Sequence, residues 1–448
     1  MLALALGAFS SCEELRWSLA AAGGDGYTAR DGHDYFTWGD QLCSIGGRGD
    51  FPVECLDTKR LIWSRKASWT YDVHHIQPVW HGSEVWMPVG ITGPWPVETQ
   101  ISQSLVYNPS GDSIRYDCWI PPEHRREADF GGRERVVSYG DSIVVVNGAK
   151  DGFLAYMGAS PYFGVSRLRP ATCTWDSPYP TPNFARDHFS AALVGSRLVI
   201  LAGRISPSAT SAEVAQSSIA IIKYEVAQTE WIDLAAHSPT WHLGASIPTT
   251  RSGYSILVDQ AEALVCVLGG ENADPSGADP VDLNICRNNP SSIPVPASKV
   301  VECYDVYADT WMQGLPPMEK GRQGAVAMIA SEPNGEQRLI VAGGSVCGGS
   351  GPLITSVEWI KKPWRMGNPG DAPCPPPPPI SCEDVTNVLA GDYTCGGRIN
   401  YLISFQGFSL SDARQAVADQ FPNDMENQSP LSIQTSFTSD VCQCKAAS

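Results

Sequence analysis

The chain has 448 residues, with 31 basic side chains against 48 acidic ones and a formal net charge of −17. That balance argues against non-specific attraction to nucleic acid or to an anionic membrane, and no apolar run reaches the roughly 18–20 residues that a membrane-spanning helix demands. An apolar content of 43% is enough to build a sizeable core.

Residues 1–14 begin MLALALGAFSSC. This is either the apolar core of a secretion signal, though no Lys or Arg precedes it, or a truncated start to the fold. Leu15, Trp17 and Leu19 alternate as a strand would. In a ring, a strand from one terminus completes a sheet begun by the other, which removes an open edge.

From about residue 30 a pattern recurs. A Gly turn between two apolar strands appears at Gly39, Gly82, Gly140 and Gly195, and a second Gly follows at Gly46, Gly90, Gly148 and Gly203. Two further copies keep only the ending, at Gly270 and Gly344. A second half-pattern accompanies the first: Val53, Glu54, Cys55 before Trp63 is echoed by Val301, Glu302, Cys303 and by Val357, Glu358, Trp359. In the clearest copy, Arg186 to Leu234, two strands join at Gly195 and Ser196, and two more are expected to join at residues 227–229, with Trp231 opening the fourth. One such antiparallel meander leaves an apolar face wet, so it is stable only when copies stack on it.

These residues resemble the Kelch-repeat β-propellers: an Arg at the start of the first strand, Gly-Gly after the second, Tyr before a turn and Trp in the fourth. The resemblance runs over residues 30–365 and implies an all-β, six-bladed ring around a central channel. The propeller domain is expected over residues 15–365. The Trp residues at 63, 175, 231 and 311 are expected to pack between blades.

The loops between second and third strands are expected to be long, over about residues 91–103, 149–164, 204–217, 271–299 and 345–355. Turns on the opposite face are short. Long loops on a rigid scaffold are where binding resides. On that face Arg30, Arg186, Arg251 and Arg322 are expected to open first strands, with Arg133 or Arg135 opening that of the third blade; the matching place in the second blade falls at Val73, beside His74 and His75. Guanidinium groups converging there would suit carboxylate, sulfate or phosphate; the alternative is that they pair with nearby acids such as Asp31 and Asp187 and stitch blades together. Trp95 and Tyr156 are the loop aromatics expected to stack on a sugar or anchor a protein. His74, His75, His124 and His188 are the titratable candidates at the mouth. Arg48, Gly49 and Asp50 form an adhesion-type tripeptide that the blade pattern itself explains.

Fourteen cysteines point to an oxidising compartment. Cys43, Cys266 and Cys303 fall in apolar strands and read as small buried hydrophobes; Cys286 and Cys347 fall in loops and read as disulfide partners. Cys442 and Cys444 are too closely spaced for a zinc knuckle, so neither a metal nor a cofactor is expected.

Residues 366–380 contain five consecutive prolines and read as an extended spacer. Residues 381–448 read as a small domain whose core needs Cys382, Cys395, Cys442 and Cys444 paired. Its block TCGGRINYLISFQGFSLSDARQAVADQFP resembles a Cys-bearing module at the ends of secreted algal proteins.

The sequence carries no nucleophile elbow, phosphate loop or HExxH. The function expected is therefore non-catalytic binding, in a secreted or lumenal setting, of a glycan or protein on the long-loop face. A cytoplasmic setting is the alternative for location. An enzyme on the same scaffold, carbohydrate-active or oxidase-like with its site at the channel mouth, is the alternative for function.

Overall fold

The computed structural model describes residues 16–365 except 21, 25, 69–71, 94–98, 125–134, 147–163, 185, 206–224, 273–279, 290–291, 333 and 350, together with 389–390 and 393–394. The chain divides into two compact units, Met1–Gly367 and Asn368–Ser448. In the second unit Leu389–Ala390 pairs antiparallel with Tyr393–Thr394. Residues 366–380 and Cys382, Cys395, Cys442 and Cys444 lie outside the described residues.

The first unit is an all-β propeller of six blades, each built on four antiparallel strands. Blade 1 comprises Asp34–Trp38, Gln41–Ile45, Pro52–Asp57 and Ile62–Ser68. Blade 2 comprises Val79–His81, Glu84–Met87, Gln103–Asn108 and Ser113–Trp119. Blade 3 follows with Arg135–Tyr139, Ser142–Val146, Val165–Arg169 and Thr174–Tyr179. Blade 4 is Ser190–Val194, Arg197–Leu201, Thr229–Asp233 and Trp241–Gly244. Blade 5 is Ser255–Asp259, Leu264–Leu268, Val301–Asp305 and Thr310–Met312.

Blade 6 supplies only three strands from its own stretch of chain: Val326–Ser331, Gln337–Ala342 and Val357–Lys361. Its fourth is Ser18–Ala20, with Leu19 facing Glu358. The chain then lays Gly23–Gly24 parallel against Ile62 and Trp63 on the outer strand of blade 1. One short N-terminal stretch therefore seals the ring on both sides of the closure, and Tyr27 stacks on Trp63 with centroids 4.5 Å apart.

Blade 4 departs from the sequence expectation. Trp231 lies on the third strand, opposite Val199, and Trp241 takes the fourth-strand place. The register follows from burial: with Glu230 opposite Ile200, its carboxylate reaches the buried Arg186. The residues expected to form the third strand, around 218–224, lie outside the described residues.

The core sits between blades rather than within any one sheet. Leu42 and Trp63 of blade 1 pack with Ile340 and Val357 of blade 6, and Leu201 of blade 4 packs with Val267 and Tyr304 of blade 5. This is why no single meander stands alone.

Four disulfides lie among the described residues. Cys43–Cys55 and Cys266–Cys303 join residues directly opposite on the second and third strands of blades 1 and 5. The expectation of small buried hydrophobes at Cys43, Cys266 and Cys303 is thus corrected: the side chains are buried, and they are also bonded. Cys118–Cys173 ties blade 2 to blade 3, and Cys286–Cys347 ties the helix Pro280–Asn288 to the strand Cys347–Gly349. No helix among the described residues is long and apolar enough to cross a membrane.

Candidate functional site

The arginines expected at the channel mouth are inside the blades. Arg30, Arg186, Arg251 and Arg322 are buried to within 1% of full occlusion, each paired with a third-strand glutamate of its own blade: Glu54, Glu230, Glu302 and Glu358. Each also donates to backbone carbonyls at the base of the second-to-third loop. Arg186 bonds Ala202 O at 2.9 Å and Gln228 O at 2.6 Å; Arg322 bonds Gly343 O at 2.8 Å and Ser356 O at 3.2 Å. Burial pulls the guanidinium pKa of Arg186, Arg251 and Arg322 down, and the facing glutamate opposes the fall. These groups clamp loop bases and present no charge to a ligand. Arg133, Trp95 and Tyr156 lie outside the described residues.

The mouth is built by the next two residues. One place after each arginine, a single backbone bridge extends the first and second strands past the Gly: Asp187 bridges Arg204, Ser252 bridges Glu271, Gln323 bridges Ser345, and in blade 2 His74 bridges Ile91. In blade 1 the Arg48 amide donates to Asp31 O at 3.0 Å. A Cβ on Gly203 or Gly270 would stand 2.8 Å from the carbonyl of Asp187 or Ser252, so only glycine allows the two strands to close there.

Two places after the arginine the backbone enters the left-handed region. Gly32, Gly253 and Gly324 take it with φ of 65°, 61° and 57°, but His75 and His188 take it too, at 53° and 49°. The reason is a backbone ring: His75 N donates to Gly32 O at 2.6 Å, Gly253 N to His188 O at 3.0 Å and Gly324 N to Gly253 O at 2.8 Å. Glycine fits this geometry freely, whereas an imidazole there costs on the order of 1 kcal/mol or more. That cost brings His75 and His188 to face one another, ring centroids 6.2 Å apart.

The side chains form two connected networks. In blades 4 and 5, Asp187 pairs with His188 Nδ1, and Arg204 pairs with Glu271. Arg204 also reaches His188 Nε2 at 2.7 Å. A guanidinium only donates, so Nε2 accepts and the proton sits on Nδ1, donated to Asp187. Glu271 further accepts from Gly349 N at 2.7 Å and Ser252 Oγ at 3.3 Å, which ties blade 6 into the same network. In blade 2, His74 Nδ1 meets His75 Nδ1 at 2.6 Å, and His74 Nε2 donates to Gly93 O at 3.2 Å. Asp72 accepts from Gly49 N and Gly93 N at 3.0 and 3.1 Å, joining the loops of blades 1 and 2. Arg48 turns toward Asp31 at 3.8 Å, so the Arg48–Asp50 tripeptide is part of this rim.

Behind the mouth lies a cavity of about 520 Å³. Its second tier carries Asp34, Gln77 and Arg135. Burial pushes the Asp34 carboxyl up to about 6, with Arg135 pulling the other way, and burial holds the adjacent His33 imidazole down at about 3. Two side chains cross the channel below: Tyr35 Oη donates to Ile256 O, and Gln77 Nε2 donates to Ala191 O at 3.2 Å. His124 is elsewhere, against Ser166 Oγ at 3.0 Å and beside Trp175. Asp117, Cys118 and Cys173 bring three ligand-type groups together, but the cysteines are bonded to each other and offer no thiolate.

The sequence reading found His74, His75 and His188, named Arg48 only as part of the tripeptide, and missed Arg204 and Glu271. Arg48, Arg204 and Glu271 all directly follow a second-strand Gly, and that position is the signal by which they are found.

No family model matches the chain, and no curated protein matches it. Among solved structures it is similar to that of YjhT, with a TM-score of 0.51 and 13% identity, over 75% of this chain and 95% of that one. At that identity the likeness concerns the fold.

Proposed function

We propose that this is a Kelch-type propeller acting as a binding protein in a secreted or lumenal compartment, taking the end of a glycan or protein ligand into the channel mouth on its long-loop face. The observation that carries this reading is the ionic construction of the mouth. Asp31 stands by Arg48, and Asp187, His188, Arg204 and Glu271 hold one another, so the walls of a cavity of about 520 Å³ are fixed before any ligand arrives. Preorganised polar groups at the mouth of an otherwise rigid scaffold suit recognition. The four disulfides agree with an oxidising compartment. A screen of glycan and secreted-protein arrays tests it, with His188→Ala and Arg48→Ala as variants. Capture by the parent protein that falls by about tenfold in both variants is expected; capture unaffected by either rejects the mouth as the site.

A second reading has one specific observation in its favour. An aspartate holding a histidine Nδ1, as Asp187 holds His188, is the arrangement that orients a general base. Against it, the Nε2 that would take the proton already accepts from Arg204. Turnover of a captured ligand by the parent protein, abolished in His188→Asn, would establish catalysis.

A further inference from the structure

The mouth holds guanidinium groups, imidazoles and carboxylates, and the sign of its ligand depends on how they are partnered. Arg204 lies between two carboxylates, pairing with Glu271 and standing 3.4 Å from Asp187. It also contacts Ser252 Oγ at 3.3 Å and His188 Nε2 at 2.7 Å. Side-chain exposure of Arg204, Asp187 and Glu271 is 3–4%. Arg48 faces Asp31 at 3.8 Å, and Asp72 stands nearby on two loop amides. A ligand carboxylate or sulfate approaching either guanidinium would meet a protein carboxylate at close range in a partly dry site. Like charges so placed repel one another, and burial strengthens the repulsion.

A hydroxyl group faces no such conflict. It donates to a carboxylate and accepts from an N–H in one contact, which is what a rim of alternating acids and bases offers. Gln323 lines the cavity at the same level, and Gln77 lines it one tier deeper.

We infer that the ligand end bound in the channel mouth is an uncharged polyhydroxyl group, a neutral sugar residue, and that carboxylated and sulfated sugars are discriminated against by Asp31, Asp187 and Glu271. This rests on the binding reading above and specifies its ligand class. The three carboxylates thereby act as specificity-determining residues: they cancel the attraction that Arg48 and Arg204 would otherwise exert on anions.

The test is a glycan array of neutral, uronate-bearing and sulfated oligosaccharides at low and high salt, using the full chain and two variants. Glu271→Gln removes one carboxylate from Arg204 while keeping an acceptor for Gly349 N. Asp31→Asn does the same for Arg48 at the more exposed rim. The parent protein is expected to capture neutral glycans with affinity changing less than about twofold with salt, and each variant to gain about tenfold for sulfated glycans at low salt, a gain lost at high salt. Capture by the parent of charged glycans alone, weakening as salt rises, overturns the inference and leaves the binding function intact. Folded parent protein that captures no glycan, judged by far-ultraviolet circular dichroism, overturns this inference together with the glycan arm of the binding reading. Should Glu271→Gln fail to fold, Asp31→Asn carries the same expectation alone; folded variants with no gain for anions also count against it.

Discussion

Blades 1, 4, 5 and 6 each close around a buried arginine–glutamate pair, whereas in blades 2 and 3 Leu105 and Ser166 stand where the glutamate would be. In blade 2 the arginine place is Val73, so both partners are missing together. The same two blades are joined by Cys118–Cys173. Two solutions to one problem therefore coexist in the ring: most blades clamp their loop bases with a buried ion pair, and the adjoining two are fastened covalently to each other. A buried charge is tolerable only with its partner, which explains why the residues vary as pairs.

The largest expected effect comes from breaking a clamp on one side. Arg186→Ala leaves the Glu230 carboxylate buried and uncompensated and should cost about 3–5 kcal/mol, read as a shift in the denaturant midpoint. The double change Arg186→Met with Glu230→Leu should recover most of that. A double variant as unstable as the single one would show that the pair supplies something beyond mutual neutralisation.

Removing the covalent fastening should cost somewhat less. Cys118→Ser with Cys173→Ser is expected to lose about 2–4 kcal/mol, with faster amide exchange concentrated in blades 2 and 3. Exchange that rises equally in all six blades would mean that the disulfide supports the whole ring.

The smallest effect is in the pH dependence of blade 1, where His33 and Asp34 adjoin the Arg30–Glu54 clamp. The His33 imidazole is held at about 3 against an ordinary 6.5, so the unfolded chain binds the proton first and stability is lost as pH falls below 6.5. The Asp34 carboxyl is raised to about 6 from 3.8, so stability is lost as pH rises from 3.8 through 6. Between 3.8 and 6 the two slopes oppose one another. His33→Gln should leave stability falling with rising pH across that window, and Asp34→Asn should leave it falling with decreasing pH, each by at most about 1.4 kcal/mol per pH unit. Parallel pH profiles for both variants would contradict the opposing signs.

Much of the ring was legible in the residues. The turn glycines at Gly39, Gly82, Gly140 and Gly195 adopt positive φ, and Gly46, Gly203, Gly270 and Gly344, which end second strands, lie where two strands converge. Even the clamp was written there, since Glu54, Glu302 and Glu358 recur behind a valine in three of the four blades that carry the arginine. The site was less legible, because a count along the strand does not reveal which way the chain turns. Arg186 and Asp187 are neighbours in sequence, yet one is sealed inside a blade against Glu230 and the other holds His188 and Arg204 at the mouth.

Local pattern by itself determined the six-fold repeat and most of the strand pairs, because alternation and glycine act over a few residues. Only the tertiary structure decided which arginines serve the fold and which serve the mouth. Arg30 and Arg204 differ in the distant acids that folding brings to them, and a charge takes its role from the counter-charge it meets.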